Sequence, residues 1–184
     1  MFNTYGNNFQ QDAKYTSQYS LKCPNSDTRG IYTSNVAISE NRDNFLREDA
    51  NLNIILISND DARQGKALDE GDRANTFVSM MKQRYASKYW DFSSIVVKDN
   101  LCKDKQSLRN AQNQVVTSWD GQPAIAGGVG IEYVNLSNSA ALDIEGSARP
   151  RGQILDICEE NYSNHFNTMS TSITDEARMF TMKC

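Results

Sequence analysis

Residue types that mark many active sites and metal sites are scarce in this sequence. The 184 residues include one histidine, His165, and four cysteines that lie far apart with no histidine beside them. A structural zinc site needs closely spaced Cys or Cys and His pairs, so this spacing argues against one. Long apolar runs are also missing, because the longest spans residues 54–57. We therefore expect no membrane span.

Positive charge is in short supply as well. The formal net charge is −4, with 19 Lys and Arg against 23 Asp and Glu. Proteins that wrap nucleic acid usually present a basic face, so the composition predicts that nucleic acid is not a partner. Hydrophobic residues make up 39% and charged residues 23%. That balance and the length predict one globular domain.

Catalytic motifs are missing too. His165 is not accompanied by a G-x-S-x-G elbow or an activated cysteine, and we expect it on a helix surface. The glycines of residues 127–130 lack the third glycine of a dinucleotide fingerprint, and we expect them to precede a strand as a turn. No phosphate-binding G-x-x-x-x-G-K-[ST] loop occurs. The sequence thus predicts a protein that is not an enzyme and needs no cofactor for catalysis.

The strongest positive signal is the apolar run Leu52–Ser58. A short, continuous run rich in β-branched residues is typical of a parallel strand that is covered on both faces. We therefore predict a central strand in which Ile54, Ile55 and Ile57 are all buried.

Other segments alternate between helix and strand patterns. Apolar residues at i, i+3, i+4 and i+8 predict a helix over residues 77–85, strands are predicted at 92–97 and 152–157, and a last helix follows from residue 162. This order predicts an α/β fold, with a mostly parallel twisted sheet and helices on both faces. We expect residues 51–184 to form this domain and residues 1–50 to be an irregular polar N-terminal segment. Weaker patterns predict short helices at 108–116 and 138–144, and a strand at 131–134.

A ligand site is predicted where the central strand ends. Ser58, Asn59, Asp60 and Asp61 follow the apolar run, and open α/β sheets bind ligands at the carboxyl ends of their strands. The alternative is that Asp60 and Asp61 are surface residues that cap a helix.

The lead-in to this strand resembles a family pattern. Phe45, Arg47, Asp49, Ala50 and Leu52 stand in the order of an "F-R-x-D-A-x-L" lead-in to a strand that ends in "S-D-E-D-D". Both belong to the fourth strand of bacterial von Willebrand factor A-like domains.

A second match lies before the last helix. Ile154, Asp156, Ile157, Cys158 and Tyr162 resemble the "G-x-I-x-D-I-C-x-x-x-Y-S" of the same family, and residues 92–97 stand where it has its fifth strand. The resemblance covers about residues 45–184. It implies the back half of such a domain, or a divergent member, with a von Willebrand factor A or Rossmann-like fold. It also implies an exported or cell-surface binding or adhesion module, periplasmic or secreted, whose ligand is a protein or a surface polymer.

Members of this family bind a divalent cation, and the resemblance assigns Mg²⁺ or Ca²⁺ to Asp60 and Asp61. Such cations need several converging oxygen ligands. The sequence departs from the family here, because it has no D-x-S-x-S loop and carries Asn59 where the family has an Asp. The metal site is therefore expected to be degraded.

The cysteines predict a compartment. Cys23, Cys102, Cys158 and Cys184 are an even, dispersed set, which favours two disulfides and an extracytoplasmic location; four reduced, buried thiols are the alternative. In the family's strand order the strands at residues 92–97 and 153–157 are neighbours. The resemblance therefore implies a Cys102–Cys158 disulfide, with Cys23–Cys184 as the second.

Three functional hypotheses follow from the sequence. The first is the exported binding module. The second is a hydrolase-type or other enzyme on a doubly wound α/β sheet, with an unrecognised site. The third is a half-domain that completes its fold with a missing N-terminal segment or a partner chain.

Overall fold

The computed structural model describes residues 28–41, 44–47, 50–63, 67–107, 109–116, 127–142 and 148–181. Its helices are α1 (Gly30–Glu40), α2 (Ala74–Arg84), α3 (Asn100–Lys105), α4 (Ile131–Ser137) and α5 (Tyr162–Thr181). Its strands are β1 (Leu52–Ser58), β2 (Trp90–Val96), β3 (Ala140–Leu142), β4 (Ala148–Pro150) and β5 (Ile154–Asp156). No helix in these ranges is both long and apolar enough to cross a membrane.

The main sheet has the order β1-β2-β5, and both pairings are parallel. Leu52 is in register with Trp90, and Ser94 with Ile154. β3 and β4 form a separate antiparallel pair. The chain is therefore a mixed α/β protein with a parallel sheet, as the sequence predicts.

The core lies on one face of this sheet. α1, α2 and α4 pack there against the alternate residues of β1 and β2 that point towards them. The fully buried side chains include Ile31, Phe77, Met81, Phe92, Val96, Tyr133 and Leu136. Phe77 contacts both Trp90 and Phe92 edge to face, with ring centroids 5.4 and 5.9 Å apart.

A buried ion pair holds the start of α1. The Arg29 guanidinium donates to both carboxylate oxygens of Asp72, at 2.9 and 2.8 Å, and Asp72 is completely buried. Arg29 also contacts the exposed Asp69 at 3.0 Å. Two parallel hydrogen bonds fix the planar guanidinium in one orientation. The pair therefore ties α1 to the short 3₁₀ turn Glu70–Asp72.

The last helix lies over the opposite face. Met169, Ser172 and Ile173 of α5 line a cavity of about 300 Å³ together with Asn53 and Ser93, which point away from the core. Met169 is buried there. Helices thus lie on both faces of the sheet, but α5 lies over its β2 and β5 side.

β1 begins and ends where the sequence predicts, yet the expectation that it is buried on both faces is wrong. Ile54 packs against the core, whereas Ile55 is 43% and Ile57 55% exposed. In the described part of the chain β1 is an edge strand of the sheet, as β5 is on the other side. A continuous apolar run is buried on both faces only when other elements cover both faces of the strand. Here the core helices cover one face of β1, and α5 leaves Ile55 and Ile57 exposed on the other face.

The N-terminal segment is not irregular throughout. α1 falls within the polar stretch predicted for residues 1–50, and it places Ile31 and Ile38 in the core. The phenol of Tyr133 accepts a hydrogen bond from the Gly30 amide at 3.2 Å, which joins α1 to α4. Residues 1–27 lie outside the described ranges.

Three weaker predictions are wrong. Residues 131–134 belong to α4 instead of a strand, and residues 140–142 form β3 instead of a helix. A turn closed by a bridge between Arg109 and Val115 replaces the helix predicted at 108–116. The alternation of Ile131, Glu132, Tyr133 and Val134 suits a strand, but tertiary contacts cap these residues as a helix.

Candidate functional site

The predicted ligand residues form a closed turn after β1. The Ser58 hydroxyl donates to the Asp60 carbonyl at 2.7 Å and accepts from the Asp60 amide at 3.2 Å. The Asn59 carbonyl accepts from the Gly128 amide at 3.0 Å. Most polar groups of this turn are therefore satisfied within the protein.

Asp61 has a structural partner. Its carboxylate accepts a hydrogen bond from the Glu132 amide at 2.9 Å, in the first turn of α4. Burial raises the pKa of Asp61, and the main-chain donors around it lower that pKa in part. This is the helix-capping role that the sequence left open, although the capped helix is distant in the chain.

Glu132 in turn caps another helix. Its carboxylate accepts from the Ala74 amide at 2.8 Å, at the start of α2. Asp61 and Glu132 thus link β1, α4 and α2 through two helix ends. Both carboxylates serve the fold, which leaves them poorly placed as ligands for a cation.

The glycine loop before α4 is not a phosphate cradle. The Gly130 amide donates to the Val97 carbonyl at 2.9 Å, and Gly128 donates to Asn59. A side chain at Gly127 would lie 1.9 Å from the Asn59 carbonyl oxygen. The loop is glycine-rich because main chains meet closely, and the amides of Gly128 and Gly130 already have acceptors.

The structure does not assemble a cation site at Asp60 and Asp61. Among the described residues, no group of three His, Cys, Asp or Glu ligand atoms includes either of them. Hard cations need more oxygens than this pair supplies. The assignment of Mg²⁺ or Ca²⁺ to this turn stays a prediction from the resemblance alone.

His165 is not on the helix surface, so that expectation is wrong. It is 6% exposed, its Nε2 is 2.7 Å from the Asp156 carbonyl oxygen, and its ring packs edge to face on Tyr162. One ring nitrogen is thus engaged with the main chain at the end of β5. This contact holds α5 against the sheet.

A disulfide joins Cys102 and Cys158, with Cα atoms 5.5 Å apart. This is the pairing that the sequence implies. It connects α3, which follows β2, to the end of β5. Asp156 lies beside it and accepts from the Cys158 amide at 2.8 Å. Cys23 and Cys184, the second predicted pair, lie outside the described residues.

The outer edge of β1 is the feature that sequence reasoning missed. The Leu52 amide donates to the Tyr89 carbonyl of the β2 side at 3.1 Å. Because main-chain groups alternate along a strand, those of Asn53, Ile55 and Ile57 point to the other side. No described residue pairs with them. We call Asn53, Ile55 and Ile57, with their main-chain groups, the β1 edge.

Nothing in the β1 edge discourages pairing. β1 contains no charged residue and no proline along its seven residues. Natural edge strands are usually protected by lysine, proline, a bulge or a covering element. The polar Asn53 among apolar neighbours is the one sequence signal that β1 has an uncovered side.

The chain has no match among protein-family models, curated proteins or solved structures.

Proposed function

We propose that this chain is an exported binding module that recognises protein, and that an extended polypeptide segment binds along the β1 edge. The observation that carries this proposal is the exposure of Ile55 and Ile57, 43% and 55%, on an uncharged outer strand. An uncovered apolar strand of this kind is a ready template for another strand.

The main chain would provide most of the affinity. Asn53, Ile55 and Ile57 offer three amides and three carbonyls to a ligand strand, over a length of about 23 Å for seven residues. Strand addition uses such main-chain bonds for affinity and side-chain contacts for specificity. The ligand strand would therefore alternate, with apolar residues on the side of Ile55 and Ile57.

Burial of the two isoleucines would add to this. Each has about half of its side chain left to bury, and full burial of an isoleucine stabilises by roughly 1.5–3 kcal/mol. A strand beside β1 covers only part of these side chains, so the pair would contribute at most about 2 kcal/mol. That gain is too small to hold a short ligand alone, so we expect the bound segment to run the whole length of β1.

The family resemblance agrees with this arrangement. Among the described residues no strand precedes β1, so the first three strands of the family have no counterpart in that part of the chain. We propose that the fold is of that type and that the ligand segment completes the sheet beside β1, as a strand of a partner polypeptide. A divalent cation has no part in this proposal.

Two further observations support the proposed role and location. The buried His165, with Nε2 against a main-chain carbonyl, is not placed as a catalytic base, which supports binding over catalysis. The Cys102–Cys158 disulfide supports an extracytoplasmic location, because disulfides persist in oxidising compartments.

The test is selection of peptides on matched proteins. A displayed library of random twelve-residue peptides would be panned on the wild-type chain, on Ile57→Lys and on Leu101→Lys. Leu101 is a matched control, since it is an exposed apolar residue at 68% on α3, away from the β1 edge. A lysine at residue 57 places an edge-blocking charge on the proposed surface.

We expect the peptides selected on the wild-type chain to have alternating apolar residues. Ile57→Lys should weaken their affinity about tenfold, and Leu101→Lys should leave it unchanged. Binders that lose equal affinity with both substitutions, or that bind Ile57→Lys as well as wild type, would refute the site.

A further inference from the structure

A cavity of about 500 Å³ lies where β2 begins, at the end of the sheet opposite to the turn after β1. The end of α2, the loop that follows it, β3 and the residue after β4 enclose it. Its apolar walls include Met81, Trp90 and Ala141, and Tyr85 and Tyr89 add aromatic surface. The cavity is large enough for a small organic molecule.

Three cations line this cavity: Lys82, Lys88 and Arg151. Lys88 donates to the carbonyls of Arg47 and Ala50, and Lys82 is exposed. None of the three forms an ion pair with a described carboxylate. Elsewhere Arg29, for example, is paired with aspartates.

Arg151 is the most confined of the three. Its guanidinium lies 3.9 Å from the centroid of the Trp90 ring, and it donates to the carbonyls of Trp90 at 3.2 Å and Ala140 at 3.0 Å. Its Nε is buried and has no hydrogen-bond partner. Burial lowers the pKa of Arg151, and the nearby Asp91 raises it in part. A buried donor without an acceptor is costly, and a negative charge in the cavity would stabilise the partly desolvated guanidinium.

A second cavity of similar volume provides a contrast. It is lined by Arg73, Asn75 and Glu132 among others, so both charge signs are present there, and the Glu132 carboxylate is occupied by the Ala74 amide. In the first cavity the described lining residues carry positive charge alone. The charge of this cavity is therefore opposite in sign to the net charge of the chain, which is −4.

We propose that this cavity binds a small organic anion, a carboxylate or a phosphate monoester with an aromatic or apolar body. The anionic group contacts Lys82 and Arg151, and the body packs between Tyr85, Tyr89 and the edge of Trp90. This site is independent of the β1 edge, so each can fail without the other.

Isothermal titration calorimetry on the full chain tests the proposal with four probes: phenyl phosphate, phenylacetate, inorganic phosphate and the neutral benzyl alcohol. We expect at least one aromatic anion to bind saturably and about tenfold or more tighter than inorganic phosphate and benzyl alcohol. The tighter of the two aromatic anions identifies the preferred headgroup. The indole N–H signal of Trp90 in NMR spectra should shift with the same saturation.

Substitutions locate the binding. Arg151→Gln should weaken binding of the aromatic anion about tenfold or more, and Lys82→Gln, at an exposed residue, should weaken it about threefold. Lys105 is an exposed lysine at the end of α3. Lys105→Gln removes the same charge away from the cavity and should leave the affinity for the aromatic anion unchanged. If Arg151→Gln fails to fold, Lys82→Gln and the Trp90 signal decide the matter. The proposal is overturned if neither aromatic anion saturates, if benzyl alcohol binds as tightly, or if Lys105→Gln weakens binding as much as Lys82→Gln.

Discussion

Reduction of the Cys102–Cys158 disulfide should lower the free energy of unfolding by about 4 kcal/mol. The two cysteines are 56 residues apart, and a loop of that length loses about this much conformational freedom in the unfolded chain when it is closed. The bridge joins α3 to the end of β5, and the loop that it closes includes exposed residues such as those of the turn at 109–116. Urea unfolding with and without dithiothreitol measures the difference.

Two variants control this experiment. A Cys102→Ala, Cys158→Ala double variant should start at the lower stability and show no further response to dithiothreitol through this bridge. A Cys23→Ala, Cys184→Ala double variant should still lose about 4 kcal/mol on reduction. A wild-type chain whose unfolding is unaffected by dithiothreitol would show that the bridge does not contribute, and it would remove the support that the disulfide gives to an extracytoplasmic location.

Replacing Asp72 by Asn should destabilise the fold by about 3–5 kcal/mol. The substitution keeps the shape of the side chain but leaves the Arg29 guanidinium, which is itself mostly buried, without its buried counterion. Removing one partner of a buried ion pair costs this much because the remaining charge stays away from water. Equilibrium unfolding in urea measures the effect.

Asp69 is the matched control. It contacts the same Arg29 nitrogen at 3.0 Å, against 2.8 Å for Asp72, and it also contacts Arg63 at 2.6 Å, but its side chain is 55% exposed. Water compensates the loss of an exposed partner, so Asp69→Asn should cost about 1 kcal/mol or less. Equal losses for the two variants would mean that burial of Asp72 does not determine the strength of this pair.

Local pattern predicted the elements of the sheet well. Leu52–Ser58 was recognisable because seven residues of high β propensity stand together, and α2 because its apolar residues follow helical spacing. The exposure of Ile55 and Ile57 could not be read in the same way. It depends on which element covers that face of β1, and apart from the polar Asn53 nothing within β1 indicates it.

Tertiary contacts decided the elements that were mispredicted. Residues 131–134 alternate like a strand, yet the Asp61 carboxylate and the Val97 carbonyl accept amides at the start of α4 and favour a helix there. His165 is buried where its Nε2 contacts the carbonyl oxygen of Asp156, nine residues earlier in the chain. Both contacts join residues whose proximity exists only in the folded chain.

The cavity at the start of β2 illustrates the same limit. Lys82 and Lys88 lie at the end of α2 and in the loop after it, Arg151 comes from a distant segment, and the three form no motif. The overall charge of −4 gives no indication of a cationic site. Net charge describes the whole surface and says little about one cavity, so such a site becomes visible only when the sheet brings α2 and β4 together.

Residue-resolved amide hydrogen exchange along β1 tests the central claim most directly. If the β1 edge is open, the amides of Asn53, Ile55 and Ile57 should exchange about 100-fold or more faster than those of Ile54 and Leu56, which bond to β2. A peptide selected on the wild-type chain should then slow the outward amides and leave the inward ones as they were. Slow exchange of Ile55 and Ile57 in the free chain would contradict the account, because it would mean that the edge is already paired.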